Sequence, residues 1–403
     1  MAVTGEDDDV VDAVADAWVW GYPLLSVHRT RGLSRPPGPT GPVGADRLAT
    51  ADDRAVVAPN NDTLYGSGFY DLRGGDLRVE VDPMRPADRY WSVMLVDAHT
   101  HVAYVCRRLH GREGTSVRVT LDPRRPAADA PGQDPVPVAT PTVWVLVRVG
   151  VDGPADLEAA RRDLAGVRIT QEGSGPEHDL PAVASVEDPV PALRALAALR
   201  TLDPPAPWQP APTPAAEDVL AHLPPDDVVV RGVDRGRERL RAAGAGADAG
   251  GNGWGTRRRG ARFGDDVTYR AAFARVSLAG HLPAENRAYL HPVDGRRPVR
   301  LTFPAGGLPP VGAFWSLTLY GADGFFVVNP IDRWSISDRT PGVEPAADGS
   351  LSIDVGHDPP ADPAGWLPAP EGGAVVALRC YEGAPEVVDA TWAPPPLRPL
   401  DDG

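Results

Sequence analysis

Lysine is missing from this 403-residue sequence, so all 40 basic residues are arginine. That excludes a Schiff-base lysine, a pyridoxal-phosphate lysine and the lysine of a P-loop. Codon bias in a GC-rich bacterial genome accounts for the absence itself. Cysteine is nearly absent: Cys106 and Cys380 lie far apart, each in an apolar run. Two such residues are too few for a disulfide framework or a cysteine zinc site and read as buried free thiols. No apolar run approaches the roughly 20 residues of a membrane helix. No basic segment followed by an apolar one opens the sequence, so no signal peptide is predicted and the chain reads as cytoplasmic. Positive charge is in deficit, 40 basic against 55 acidic residues for a net −15, which argues against a nucleic-acid partner. No Gly-x-Gly-x-x-Gly opens a helix after a strand, and no Gly-x-Ser-x-Gly elbow occurs. The near miss Gly66-Ser67-Gly68 reads as a tight turn.

Glycine and proline are abundant, 43 and 46 residues, and disfavour a mostly helical fold. Val11, Val14, Ala15 and Trp18 fall at i, i+3, i+4 and i+7, predicting a helix over about 6–26 that Gly21 and Pro23 end. A Pro/Gly-rich loop follows at about 31–45. Short apolar runs bounded by Gly, Pro and Asp then predict strands near 77–81, 90–96, 101–106, 117–121 and 143–149. The middle of the chain is helical in pattern and rich in proline and alanine, with a stretch at about 242–260 that reads as a mobile loop. Strands return near 299–303, 313–320, 325–328, 351–355 and 375–381. The fold class is therefore mainly β with α connectors: two β-sandwich, jelly-roll-like domains joined by a helical, Pro/Ala-rich segment. The expected boundaries are 1–150, 151–285 and 286–403.

Three stretches could carry chemistry. In Pro59-Asn60-Asn61-Asp62-Thr63-Leu64-Tyr65, the side chains of Asn60, Asn61, Asp62 and Tyr65 could face a polar ligand, or the stretch is simply a strong turn former. In Asp97-Ala98-His99-Thr100-His101, strand alternation would converge Asp97, His99 and His101, a set suited to zinc, iron or manganese. The plainer reading is strand-end histidines in ordinary hydrogen bonds. In Phe314–Tyr320, one strand face carries Trp315, while Tyr320, with Asn329 and Arg333 beyond it, could line a polar pocket. Arg333 could equally pin its own loop.

The ordered motifs Trp20-Gly21-Tyr22-Pro23, Pro59 to Tyr65, Leu301-Thr302-Phe303-Pro304, Phe314 to Tyr320 and Asn329-Pro330-Ile331-Asp332-Arg333 resemble a known pair of domains. These are the domains of unknown function 1254, N-terminal, and 1214, C-terminal. The resemblance covers about 10–150 and 265–398 and implies β-sandwich domains with helices between them, but no settled reaction. Where that family commonly carries a polar residue such as Asn this chain has His101, so the histidine pair inherits no role.

The function expected is binding of a small polar or aromatic metabolite at an interdomain cleft, with its transformation by acid/base or hydrolytic chemistry as the further expectation. Asp62, Asp97 and Tyr65 are the catalytic candidates. Asn60, Asn61, Trp91, Trp315, Tyr320, Asn329 and Arg333 are the binding candidates. No cofactor is required; a divalent metal at His99 and His101 is the variant. The alternatives are a non-catalytic carbohydrate- or small-molecule-binding module, for which ten tryptophans against seven phenylalanines speak mildly, or an oligomeric structural protein. A small-molecule partner is expected, with a homo-oligomer as a further candidate and neither membrane nor nucleic acid.

Overall fold

The computed structural model describes residues 5–37, 41–44, 47–54, 57–173, 180–244 and 248–400. The first helix, Gly5–Leu33, does not stop at Gly21 and Pro23 but runs through both. It is apolar on nearly every side: Val14, Trp18, Leu24, Leu25 and Val27 have almost no exposed surface. A helix apolar all round persists when packed on all sides. Here the helices Pro189–Leu202, Pro214–Ala221, Asp226–Ala243 and Val267–Val276 share its core. Gly21 is a packing glycine, because a Cβ there would overlap the Leu196 side chain.

The rest is mostly β, in four sheets. The first sheet pairs Thr63–Asp71, Thr142–Gly150, Trp91–Asp97 and Val102–Cys106, in that spatial order and all antiparallel. Its inner face, with Leu64, Val93, Leu95, Val145 and Val147, shares one core with Leu77, Val79, Val117 and Ile169 of a second sheet. That second sheet includes the strand Val167–Glu172, so the first β unit extends past residue 150. The second β unit repeats the arrangement. A sheet with Asn286–Asp294, Gly373–Tyr381, Trp315–Gly321 and Ser335–Ser337 shares a core with one containing Val299–Phe303 and Leu351–Gly356. Among the described residues no sheet closes into a barrel, and no helix is long and apolar enough to cross a membrane. Both cysteines are buried and free.

Three local expectations change. Gly66-Ser67-Gly68 lies in mid-strand, not in a turn. Its small residues let Pro37 and Pro42 approach to 3.3 Å of where a Gly68 Cβ would sit. Residues 325–328 form no strand, because the chain has just turned through Asp323 and Gly324; the pairing partner of Trp315–Gly321 is Ser335–Ser337. Within 242–260, residues 245–247 lie outside the described residues, as do 38–40 and 45 of the 31–45 loop. Gly255–Thr256 is a short strand paired with residues 289 and 290.

Candidate functional site at the junction of the two β units

Side chains directly opposite one another on paired strands share a face of the sheet. In the first sheet Tyr65 opposes Arg148, Arg148 opposes Ser92, and Ser92 opposes Cys106. A row Tyr65–Arg148–Ser92–Cys106 thus crosses four strands on the face turned away from that unit's core. Val147 and Val149, the sequence neighbours of Arg148, point the other way into the core. In the second unit, Leu317 and Leu378 enter the core, while Ser316, Thr318, Tyr320, Arg379 and Tyr381 occupy the opposite face.

The loop before Thr63–Asp71 joins these two faces. The Ser316 hydroxyl donates to Asp62 Oδ2 at 2.6 Å, and Ser335 to Oδ1 at 3.4 Å. Asn60 Nδ2 donates to the Tyr381 hydroxyl at 2.6 Å, and Tyr320 donates to the Pro59 carbonyl at 2.6 Å. Arg379 donates to Tyr320 Oη at 2.6 Å and to Thr318 Oγ1 at 2.9 Å. Replacing Asp62 with alanine strands the buried Ser316 hydroxyl and removes a charge-assisted bond. The expected loss is about 2–3 kcal/mol in urea unfolding. A double-mutant cycle with Ser316→Ala should return a coupling of about 0.5 kcal/mol or more; additive losses would contradict the bond.

Behind this junction sit more ionisable groups. Tyr90 donates to Glu285 Oε1 at 2.7 Å and packs edge-on to Tyr381, which stacks on Phe314 at 4.2 Å. Burial pushes the Glu285 carboxyl up, against the Tyr90 hydrogen bond and nearby Arg108. The Tyr104 hydroxyl and His281 Nδ1 lie 3.1 Å apart. Burial, then the guanidiniums of Arg148 and Arg379, push His281 well below the ordinary histidine range, so its imidazole is neutral. Burial, then the charge of Asp62, pushes the Tyr381 hydroxyl up. Protein surrounds His281 and Arg379 densely, yet these two and Tyr65 keep some surface where the two faces meet. A separate cleft of about 420 Å³ lies in the helical layer. Its charged groups, Arg194 and Asp226, already pair with each other at 3.3 Å.

Of the residues singled out in the sequence, Asn60, Asp62, Tyr65 and Tyr320 come together at this junction. Asn61 is adjacent, with a buried Oδ1 that has no partner. Trp91 and Trp315 instead fill the two β cores. Asn329 bonds within its own loop, accepting from the Arg333 amide at 3.0 Å, and Arg333 donates to the carbonyls of Pro363, Ala364 and Trp366.

Asp97, His99 and His101 lie apart from the junction, against the helical layer. The strand ends at Asp97 and a turn follows, with Thr100 at φ 67°, so strand alternation does not set the histidine directions. Asp97 Oδ1 accepts from the amides of both histidines at 2.9 Å, and Oδ2 accepts from Gln209 at 2.6 Å. His99 Nε2 lies 3.0 Å from the Asp203 carbonyl, while the His101 ring packs edge-on to Trp208 and Phe263. Among the described residues no three His, Cys, Asp or Glu side chains group as metal ligands.

The residues that sequence reasoning did not bring to this site are Tyr90, Tyr104, Arg148, His281, Glu285, Arg379 and Tyr381. Two carried a readable signal. Arg148 is a lone charge in the run Val143-Trp144-Val145-Leu146-Val147-Arg148-Val149, and Arg379 is one in Val375-Val376-Ala377-Leu378-Arg379-Cys380. A charge inside an apolar strand is worth asking about, because arginine is almost never fully buried unless paired.

Two family models match this chain. The protein of unknown function family DUF1254 matches residues 43–171, and the protein of unknown function family DUF1214 matches residues 283–385. No curated protein matches it. Among solved structures, the VPA0106 protein from Vibrio parahaemolyticus is similar over 97% of this chain and all of its own, at 18% identity and a TM-score of 0.69. That likeness concerns the fold. An uncharacterised protein from Burkholderia cenocepacia aligns over 98% of this chain and 95% of its own, at 13% identity and a TM-score of 0.48.

Proposed function

For a chain that carries domains 1254 and 1214 in this order, both of unknown function, we propose a small-molecule site between the two β units, which we read as jelly-roll-like sandwiches. The site binds a small polar or aromatic metabolite in the cytoplasm and supports proton-transfer chemistry on it. The observation that carries this reading is the Tyr104–His281 contact of 3.1 Å, within the field of Arg148 and Arg379, at a histidine that keeps some accessible surface. Burial lowers the imidazole and raises the adjoining phenol. In the resting site the pair is therefore neutral and orients a ligand by hydrogen bonding. A proton moves through it once the charge of a bound ligand makes the imidazole more basic. Asn60, Asp62 and Tyr65 supply the polar edge, and Met94, Tyr104 and the Tyr381–Phe314 stack the apolar wall. Ligand sites commonly combine an apolar lining with a few convergent polar groups at a domain boundary.

The test is a thermal-shift screen of small metabolites on the full chain, followed by hydrogen exchange on each compound that stabilises it. A ligand of this site should slow exchange in 142–150 and 373–381 together. His281→Gln should weaken its binding about tenfold. A stabilising compound that protects neither strand and ignores His281→Gln contradicts the reading.

A further inference from the structure

Arg148 is the least satisfied charge at the junction. Its side chain is buried, with 4% of the residue exposed. Nε reaches the Tyr65 hydroxyl at a long 3.3 Å, and Nη1 reaches the Met94 sulfur at 3.7 Å. Nη2 has no partner among the described residues, and no carboxylate there lies within ion-pair distance of the guanidinium. Burial works against its charge, but a guanidinium does not give up its proton inside a protein, so the cation remains. A buried cation left unpaired is strongly destabilising.

The other charges nearby are answered. Arg379 bonds two hydroxyls and lies in the field of Asp62. Glu285 meets Arg108 at 3.3 Å, and Arg107 meets Glu382 at 2.7 Å. His281 is neutral. Arg108 also bonds Asp129, at 2.6 Å, so these charges balance in number; what sets Arg148 apart is that no acceptor meets its Nη2 among the described residues. Arg270 provides an instructive contrast. Its Nε and Nη1 also have no partner, but neither atom has accessible surface, so no space for an anion lies beside them.

We propose that the junction at Arg148 receives a small monocarboxylate, whose carboxylate pairs with the Arg148 guanidinium while its body lies toward Tyr65, which keeps accessible surface. This rests on the site assigned above and names its ligand class. Guanidinium matches carboxylate in shape as well as charge. A second acidic group on the ligand would meet Asp62 and Glu285 without a free cation to pair with.

The probes are benzoate and butyrate, the neutral isostere benzamide, and the dicarboxylate succinate, titrated calorimetrically into the full chain at pH 7. Benzoate or butyrate should bind about tenfold or more tightly than benzamide and succinate. Arg148→Gln should remove that preference, and Arg148→Lys, which keeps the charge but not the fork, should retain part of it. The wild-type preference decides the matter even where a variant fails to fold. Benzamide binding as well as benzoate, or succinate binding better, overturns the monocarboxylate and leaves the site standing. Binding of none of the four to the wild type overturns the monocarboxylate; the site itself is then judged by its own metabolite screen.

Discussion

The unfolding free energy of Asp97→Asn should climb more steeply with pH than that of the wild type, by about 1.4 kcal/mol per pH unit between pH 4.5 and 6. The reason lies in the turn after Trp91–Asp97. Burial raises the Asp97 carboxyl from 3.8 to about 7, although the amides of His101 and His99 and the Gln209 side chain all favour its charged form. A carboxyl raised in the folded state binds a proton there that the unfolded chain has already released. Its contribution to stability is therefore present at low pH and is lost as pH rises through 7. His99 and His101 work in the opposite sense. Burial, helped by the Arg270 charge, lowers both from 6.5 to about 3. Below pH 6.5 the unfolded chain takes up protons on them that the folded chain refuses, so stability falls as pH falls. Each such shift corresponds to about 4 kcal/mol at its limit. Across the window the two histidines outweigh the one aspartate. Removing the aspartate's proton adds one unit of slope, and His99→Gln/His101→Gln should subtract about two. Urea unfolding at four pH values checks both, and slopes equal to the wild type's would refute this account of the turn.

Gly232→Val should cost about 3 kcal/mol or more of stability. Gly232 sits in the helix Asp226–Ala243, where it crosses the first helix. A Cβ there would overlap the Val14 side chain and lie 2.9 Å from the Val11 carbonyl oxygen. The second contact is with backbone, so no side-chain rotation relieves it and the helices must part. One turn on, a Cβ on Gly236 would stand 2.8 Å from Trp18 Cε3. Glycine costs a helix interior about 1 kcal/mol relative to alanine, so close approach is what makes it favourable at these positions. Gly251→Ala, with nothing within 4 Å of its Cβ, is the matched control and should be nearly neutral. A Gly232→Val urea midpoint equal to that of Gly251→Ala would contradict the crossing.

Most β strands whose apolar residues alternate or run together were legible in the sequence, within a residue or two, because burial of one or both faces writes that pattern; Val167–Glu172 was not, since it lies in a stretch read as helical. Thr63–Asp71 was not, because Gly66 and Gly68 look like turn residues when seen singly and serve a close approach when seen folded. The first helix was legible at its start. Its end was not, because the packing that carries it past Pro23 comes from helices some 160 residues later in the chain. At the junction, Asn60, Asp62, Tyr65 and Tyr320 stood out through dense local polarity. Arg148 and Arg379 each stand alone in an apolar strand, and their partners come from other strands, so no local spacing announces them. The histidines at 99 and 101 misled for a related reason: one positive φ at Thr100 breaks the alternation on which their convergence depended.

The burial of Gly5–Leu33 among the four helices of 189–276 has a consequence during synthesis. This helix leaves the ribosome before its partners, which follow as much as about 240 residues later. At roughly 5–20 residues per second that interval is on the order of 10–50 s. Throughout it, Trp18, Trp20, Leu24 and Leu25 belong to a nascent chain with no native surface to cover them. The growing polypeptide therefore carries an uncovered apolar segment, of the kind that aggregates, until the helical layer closes.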